Sequence, residues 1–173
     1  LDKAASWARA CGLSVDDVVG YSGEYEYLTL ARLRLAEGDL TGVDELLERL
    51  LASAETQKRM GSVIEILLTQ ALVDVARNDE ASSPAALERA LALAEPEGYR
   101  RIFVTEGEAM RRLLVKFRSA HEEQATHWSR GYVDTLVATF APPAKPGAKP
   151  ASTNQSTAII EPLTNRELEI LRL

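Results

Sequence analysis

The side chains that could do chemistry in this chain are few, and their spacing does not suit catalysis. His121 and His127 are its two histidines, six residues apart. On a helix that spacing turns them about 240° from one another, so they cannot share a metal ion, and they read as solvent-facing. Glu122 and Glu123 follow His121, but no His-Glu-x-x-His pattern forms. There is no Gly-x-x-x-x-Gly-Lys-Ser/Thr loop to cradle a nucleotide phosphate, and no serine in a nucleophile-elbow pattern. Residues 1–173 are therefore expected to be no enzyme and to hold no catalytic group, metal or cofactor. Cys11, the single cysteine, excludes an internal disulfide and fits a reducing cytosol, so a cytoplasmic location is expected. Its own side chain reads as a small buried apolar group.

The composition points to helices. Hydrophobic residues make up 46% of the 173, aromatics only 6%, and leucine and alanine dominate the apolar set. The net charge of −6 argues against a nucleic-acid-binding surface, which carries a basic excess to neutralise phosphates. No stretch approaches the roughly 18 uncharged apolar residues of a membrane span. The chain opens on Leu1 and stops within a helical pattern, so it is expected to be a piece of a longer protein.

Along the chain, helical patterns recur. A short one surrounds Trp7 and ends at Gly12; Ser14-Val-Asp-Asp reads as a turn or a new cap. Residues 24–37 form the next, stopped at Gly38-Asp39. Val43, Leu46, Leu47, Leu50 and Leu51 mark one clean apolar face. Residues 58–77 are apolar nearly all round, from Val63 to Val75, and should be central. Ser82-Ser83-Pro84 starts a helix running to Pro96. Two more are centred on Met110–Phe117 and Tyr132–Phe140. Ile102-Phe103-Val104 has strand character but is short and isolated, and reads as an extended lead-in to the helix after it. Residues 1–140 are thus expected to form one all-α domain.

From Ala141 the character changes. Pro142, Pro143, Pro146 and Pro150 stand among Ala, Lys, Gly and Ser, so residues 141–160 read as an extended, semi-rigid tether. Residues 161–173 then open a new helix. Thr164 can cap it while Glu167 reaches back to the Thr164 backbone N–H, a capping box, and Pro162 marks the boundary. The string Leu163-Thr164-x-Arg166-Glu167-x-Glu169-Ile170-Leu171-x-Leu173 resembles the first helix of the LuxR-family helix-turn-helix. That resemblance implies a transcription regulator whose base-reading helix is not among these residues.

The helices also repeat. Tyr27–Asp39 lines up with Leu67–Asp79 at an offset of 40 residues, with Thr29 on Thr69, Ala31 on Ala71, Ala36 on Ala76 and Asp39 on Asp79. The small Ala31 and Ala71 suit a close helix approach. The second helices align as Val43, Leu47 and Leu50 on Ala86, Ala90 and Leu93, after a three-residue insertion. Such paired helices resemble tetratricopeptide repeats, which predicts a helical-repeat superhelix. Trp7, the Tyr25–Asp39 helix, Leu46–Leu51, the string Ala92–Phe103 and Glu106-Gly107 with the Met110/Leu113-Leu114 helix are together similar to the C-terminal half of MalT-like regulators.

That resemblance implies a sensor that couples an inducer or a regulatory protein to self-association and to DNA binding. ATP would bind in a module upstream, and DNA would be touched only through the helix-turn-helix begun at Leu163, Thr164, Arg166, Glu167 and Leu171. In a superhelix the first helices of each pair line the concave wall, the usual binding surface. By the pairing above, Tyr25, Leu28 and Arg32 from one pair and Glu65, Leu68 and Leu72 from the next would fall there. A stand-alone peptide-binding adaptor of the same fold is the alternative. An adaptor should end in a polar capping helix, whereas this chain runs into a proline tether and a second cap.

Overall fold

The spacing of apolar residues from Val43 to Leu50 puts them on one helix face, and that face is fully enclosed: Val43, Leu46, Leu47 and Leu50 have no exposed surface. A computed structural model describes residues 2–17, 19, 23–77, 83–120 and 129–140. The chain divides into two units, Leu1–Pro142 and Pro143–Leu173. The second, and with it the segment from Ala141 expected to be a tether and the Leu163–Leu173 string, lies outside the described residues, as do His121, His127 and Asn78-Asp79.

The described residues contain helices and no strand: α1 (Asp2–Ala10), α2 (Glu24–Glu37), α3 (Val43–Thr56), α4 (Met60–Ala76), α5 (Ser83–Ala94), α6 (Arg101–Thr105), α7 (Gly107–Ala120) and α8 (Arg130–Thr139). They pack as antiparallel hairpins. α2 lies on α3, α4 on α5, and the broken helix α6–α7 on α8. α4 sits at the centre and touches α2, α3, α5, α6 and α7. Its composition allows this. Val63, Ile64, Ile66, Leu67, Leu68, Ala71, Leu72 and Val73 are all buried, which leaves no wide polar face. Val75, in the last turn of α4, departs from the expected buried run and is 46% exposed.

Among the described residues Thr69 is the one buried polar residue of the core, and it is satisfied, its hydroxyl donating to the Glu65 carbonyl at 2.9 Å. Thr29, its counterpart in α2, donates to the Tyr25 carbonyl at 2.7 Å. Ala31 and Ala71 are both completely buried, so the 40-residue alignment of the first helices holds in space. The second helices align differently. Val43, Leu46, Leu47 and Leu50 correspond by burial to Leu87, Ala90, Leu91 and Ala94, all at 0% exposure, which is an offset of 44. The insertion is four residues, not three. A one-residue slip rotates a helix by about 100°, so the pairing of Val43 with Ala86 and Leu50 with Leu93 would have turned part-exposed positions into the core.

Ile102-Phe103-Val104 is helical, as α6, where the sequence suggested an extended lead-in. The helix propensity lost by β-branched residues is a few tenths of a kcal/mol each. Burying Phe103 outweighs it. Phe103 is completely enclosed and meets the Tyr132 ring edge-on, with centroids 6.3 Å apart and planes at 86°. Tyr132 is itself anchored, its hydroxyl donating to the Tyr99 carbonyl.

The helix ends carry the repeat most plainly. α1, α3 and α5 each close with the same pair of backbone bonds. Leu13 N–H reaches the Ala8 carbonyl at 3.2 Å, Arg59 N–H the Ala54 carbonyl at 2.9 Å, and Tyr99 N–H the Ala94 carbonyl at 3.0 Å. One residue earlier, Gly12, Lys58 and Gly98 donate to Arg9, Glu55 and Glu95. This is the Schellman end, with its fifth residue in the left-handed region. Gly12, Lys58 and Gly98 have φ of 66°, 56° and 67°. In each case the alanine that accepts is buried. α2, a first helix, ends with the same two bonds, Gly38 and Asp39 donating to Leu35 and Arg34 with Gly38 at a φ of 76°, but its outer acceptor is the part-exposed Arg34; the buried alanine is what α1 shares with α3 and α5.

Candidate functional site

Folding brings two of the six residues expected on the first-helix wall together, and a third, unexpected one joins them. Arg32 lies in the middle of α2 and Glu65 in the first half of α4. Since α2 and α4 pack side by side, the Arg32 guanidinium comes within 3.6 Å of the Glu65 carboxylate. The same Nη2 donates to Oε1 of Glu106, the residue between α6 and α7. Three first-helix segments, 74 residues apart at the extremes, thus meet at one guanidinium.

The members differ in exposure. The Glu65 side chain is 38% exposed and Arg32 29%, but Glu106 only 7%. Burial pushes the Glu106 carboxyl above its ordinary value; Arg32 opposes the shift and the nearby Glu65 adds to it. Desolvation therefore outweighs the attraction of the guanidinium at this site. Arg32 Nε is buried as well and has no hydrogen-bond partner among the described residues.

The other expected members stand elsewhere. Leu28 (3% exposed), Leu68 (0%) and Leu72 (7%) are core residues and cannot meet a partner in this arrangement. They lie within about 60° of Arg32 or Glu65, one or two turns along the same helices, so it is packing at their own level of the stack that buries them and not the helix face alone. Tyr25, two turns before Arg32, is 73% exposed and offers an aromatic ring to solvent near the start of α2. Glu106 was missed as a site residue. Its signal was the Glu106-Gly107 pair, in which a glycine interrupts an otherwise helical run, and Gly107 does take a φ of 73° there.

Cross-hairpin ion pairs elsewhere are of a more ordinary kind. Arg59 meets Glu24, Arg77 meets Asp44, and Arg89 meets Glu55. The last two are largely exposed, and such pairs contribute about 0–1 kcal/mol. Among the described residues no group of three or more His, Cys, Asp or Glu could hold a metal ion, and no helix is long and apolar enough to cross a membrane. Cys11 is an exposed free thiol, not a buried one, since it lies in the turn that closes α1.

The family model of MalT-like TPR regions matches residues 1–120. No curated protein and no solved structure gave a match.

Proposed function

Because the chain belongs to the MalT-like TPR regions, we propose that it is the signal-sensing, protein-interaction module of a LuxR-family transcription regulator. The module receives a small-molecule inducer or a regulatory protein and passes that event to self-association and DNA binding. DNA is contacted by the helix-turn-helix that Leu163, Thr164, Arg166, Glu167 and Leu171 begin, and not by the acidic helical domain. Catalysis is absent from residues 1–173, ATP belongs to a separate module of the regulator, and the protein works in the cytoplasm without a membrane partner.

The observation that carries this reading is the match over residues 1–120 followed, across a proline-rich stretch, by the LuxR-like string 163–173. The first-helix wall supports the receiving role, because Tyr25, Arg32 and Glu65 offer solvent an aromatic ring, a cation and a carboxylate. A signal acts there only through a difference in its affinity for two arrangements of the module. The test is a reporter driven by the regulator's own promoter. Tyr25→Ala and Arg32→Ala in the intact gene should abolish the response to the signal while promoter binding persists. Reading the coding frame past codon 173 is the companion test. A frame lacking a Gly followed by Ser-Asn-Lys-Glu-Ile-Ala would remove the regulator reading.

A further inference from the structure

In a stack of helical hairpins each unit touches its neighbours, and stability is close to a sum of unit and neighbour contributions. Arg32 departs from that pattern. Its helix, α2, packs on α1, α3 and α4. The guanidinium nevertheless reaches across α4, past Glu65, to Glu106 in the third hairpin. Glu106 stands at the break between α6 and α7. Gly107 follows it with φ of 73°, and a Cβ built on Gly107 would meet nothing within 4 Å. The glycine is there for its backbone angle, not for a close contact, which is how a hinge residue looks.

The pair also makes poor sense as a simple stabiliser. Taking a carboxylate and a guanidinium out of water carries a desolvation cost that their attraction does not always repay, and well-packed apolar residues often do as well or better. Glu106 is nearly enclosed, and Arg32 Nε is buried without an acceptor among the described residues. What the pair provides is directionality: one guanidinium can bond Glu106 only when the third hairpin stacks at one particular angle. Glu65, 3.6 Å away and more exposed, is a second seat for the same cation.

We infer that Arg32 and Glu106 form a latch between the first and third hairpins, closed in this structure. The latch fixes how α6–α7 stacks on α4. Moving Arg32 to Glu65 alone opens it and frees rotation about Gly107. A latch with two seats is the kind of two-position element that a packed domain needs to switch rather than deform. It does not depend on what the first-helix wall receives.

The experiment uses the whole 173-residue chain with Cys11→Ser, so that nitroxide labels can be placed at Tyr25→Cys on α2 and Arg112→Cys on α7, both exposed positions. Pulsed electron-spin distances are measured for the parent, Glu106→Gln, Arg32→Gln, the double variant and Glu65→Gln. The parent should give one narrow distribution. Glu106→Gln and Arg32→Gln should each shift it or make it about twice as broad, with the double variant no worse than either single. Glu65→Gln should leave it narrow. Circular dichroism and a thermal melt accompany each sample. Distributions for Glu106→Gln and Arg32→Gln that overlay the parent in folded protein would overturn the latch. So would failure of Glu106→Gln to fold, which would make the pair an ordinary prop of the core.

Discussion

Lys58 occupies a backbone conformation that its two structural counterparts fill with glycine, and this permits a prediction with little else mixed in. Gly12 and Gly98 hold φ of 66° and 67° at the ends of α1 and α5, and Lys58 holds 56° at the end of α3. The left-handed region costs an L-residue about 1–2 kcal/mol through crowding of Cβ against the carbonyl oxygen. Placing glycine there removes that cost but loosens the unfolded chain by about 0.4–1 kcal/mol. The net gain for Lys58→Gly is therefore about 0.5–1 kcal/mol. Little packing is sacrificed, since Lys58 is exposed. The reciprocal change is equally clean. A Cβ at Gly98 would meet nothing within 4 Å, so Gly98→Ala should lose the same net, about 0.5–1 kcal/mol. Urea unfolding followed by circular dichroism is the assay, and m should not change. In a thermal scan the two variants should move in opposite directions, by roughly 2–4 °C per kcal/mol for a domain of this size. A lower midpoint for Lys58→Gly would refute the equivalence of the three helix ends.

Ala71→Trp overfills a completely buried position on the central helix and should cost more than the 1–3 kcal/mol usual for added core volume; a melt indistinguishable from the parent would count against the pairing of α2 with α4. Glu106 has a folded-state pKa raised by burial, against Arg32 and with Glu65 adding to the rise, so its contribution to stability is present below its unfolded value of 4.5 and is lost as pH rises through the folded value. Glu106→Gln should accordingly look more favourable relative to the parent at about pH 7 than at about pH 4, and a urea-midpoint difference constant over that range would contradict the burial cost. The 173-residue chain should give no sequence-selective gel shift with duplex DNA, given its net charge of −6; tight, selective retention would place a DNA-reading surface where none is expected.

Much of the fold was legible because helix faces and helix stops are written locally. Residues 24–37 are delimited by Gly38, whose φ of 76° ends α2 where the sequence says it should. The Val43–Leu51 stripe has a single face to read, and α4 has no wide polar face. The failures share a different cause: each depended on what a residue meets across space. Phe103 is helical because Tyr132, 29 residues later, closes over it. Leu28, Leu68 and Leu72 sit one or two turns from Arg32 and Glu65 on nearly the same helix faces, and only the packing of neighbouring helices decides which of these positions is covered. The register of α5 against α3 was misjudged by one residue because Ala86 and Leu93 look as apolar as Ala90 and Leu91. Glu106 could not be joined to Arg32 from sequence at all, since nothing local announces a contact over 74 positions.

The three Schellman ends explain why the site converges even though the repeat lengths do not agree. Ala8, Ala54 and Ala94 are separated by unequal intervals, and the loops between first and second helices differ, yet the same two backbone bonds and the same left-handed residue follow each alanine. That geometry, which also ends α2 at Gly38, fixes the direction in which the chain leaves a helix. After α3 it leads directly into α4, and after α5 into α6. Thr29 on α2 and Thr69 on α4 occupy matching places, with their bonds to the Tyr25 and Glu65 carbonyls, although α2 follows α1 only after a longer segment. In the third unit the first helix is interrupted at Glu106-Gly107, which gives a carboxylate at the break its approach to Arg32. A chain built this way can vary its helix faces, provided core volume is kept, without moving the wall. Constraint should then fall on the buried alanines and left-handed positions, and the signal specificity on exposed wall residues such as Tyr25.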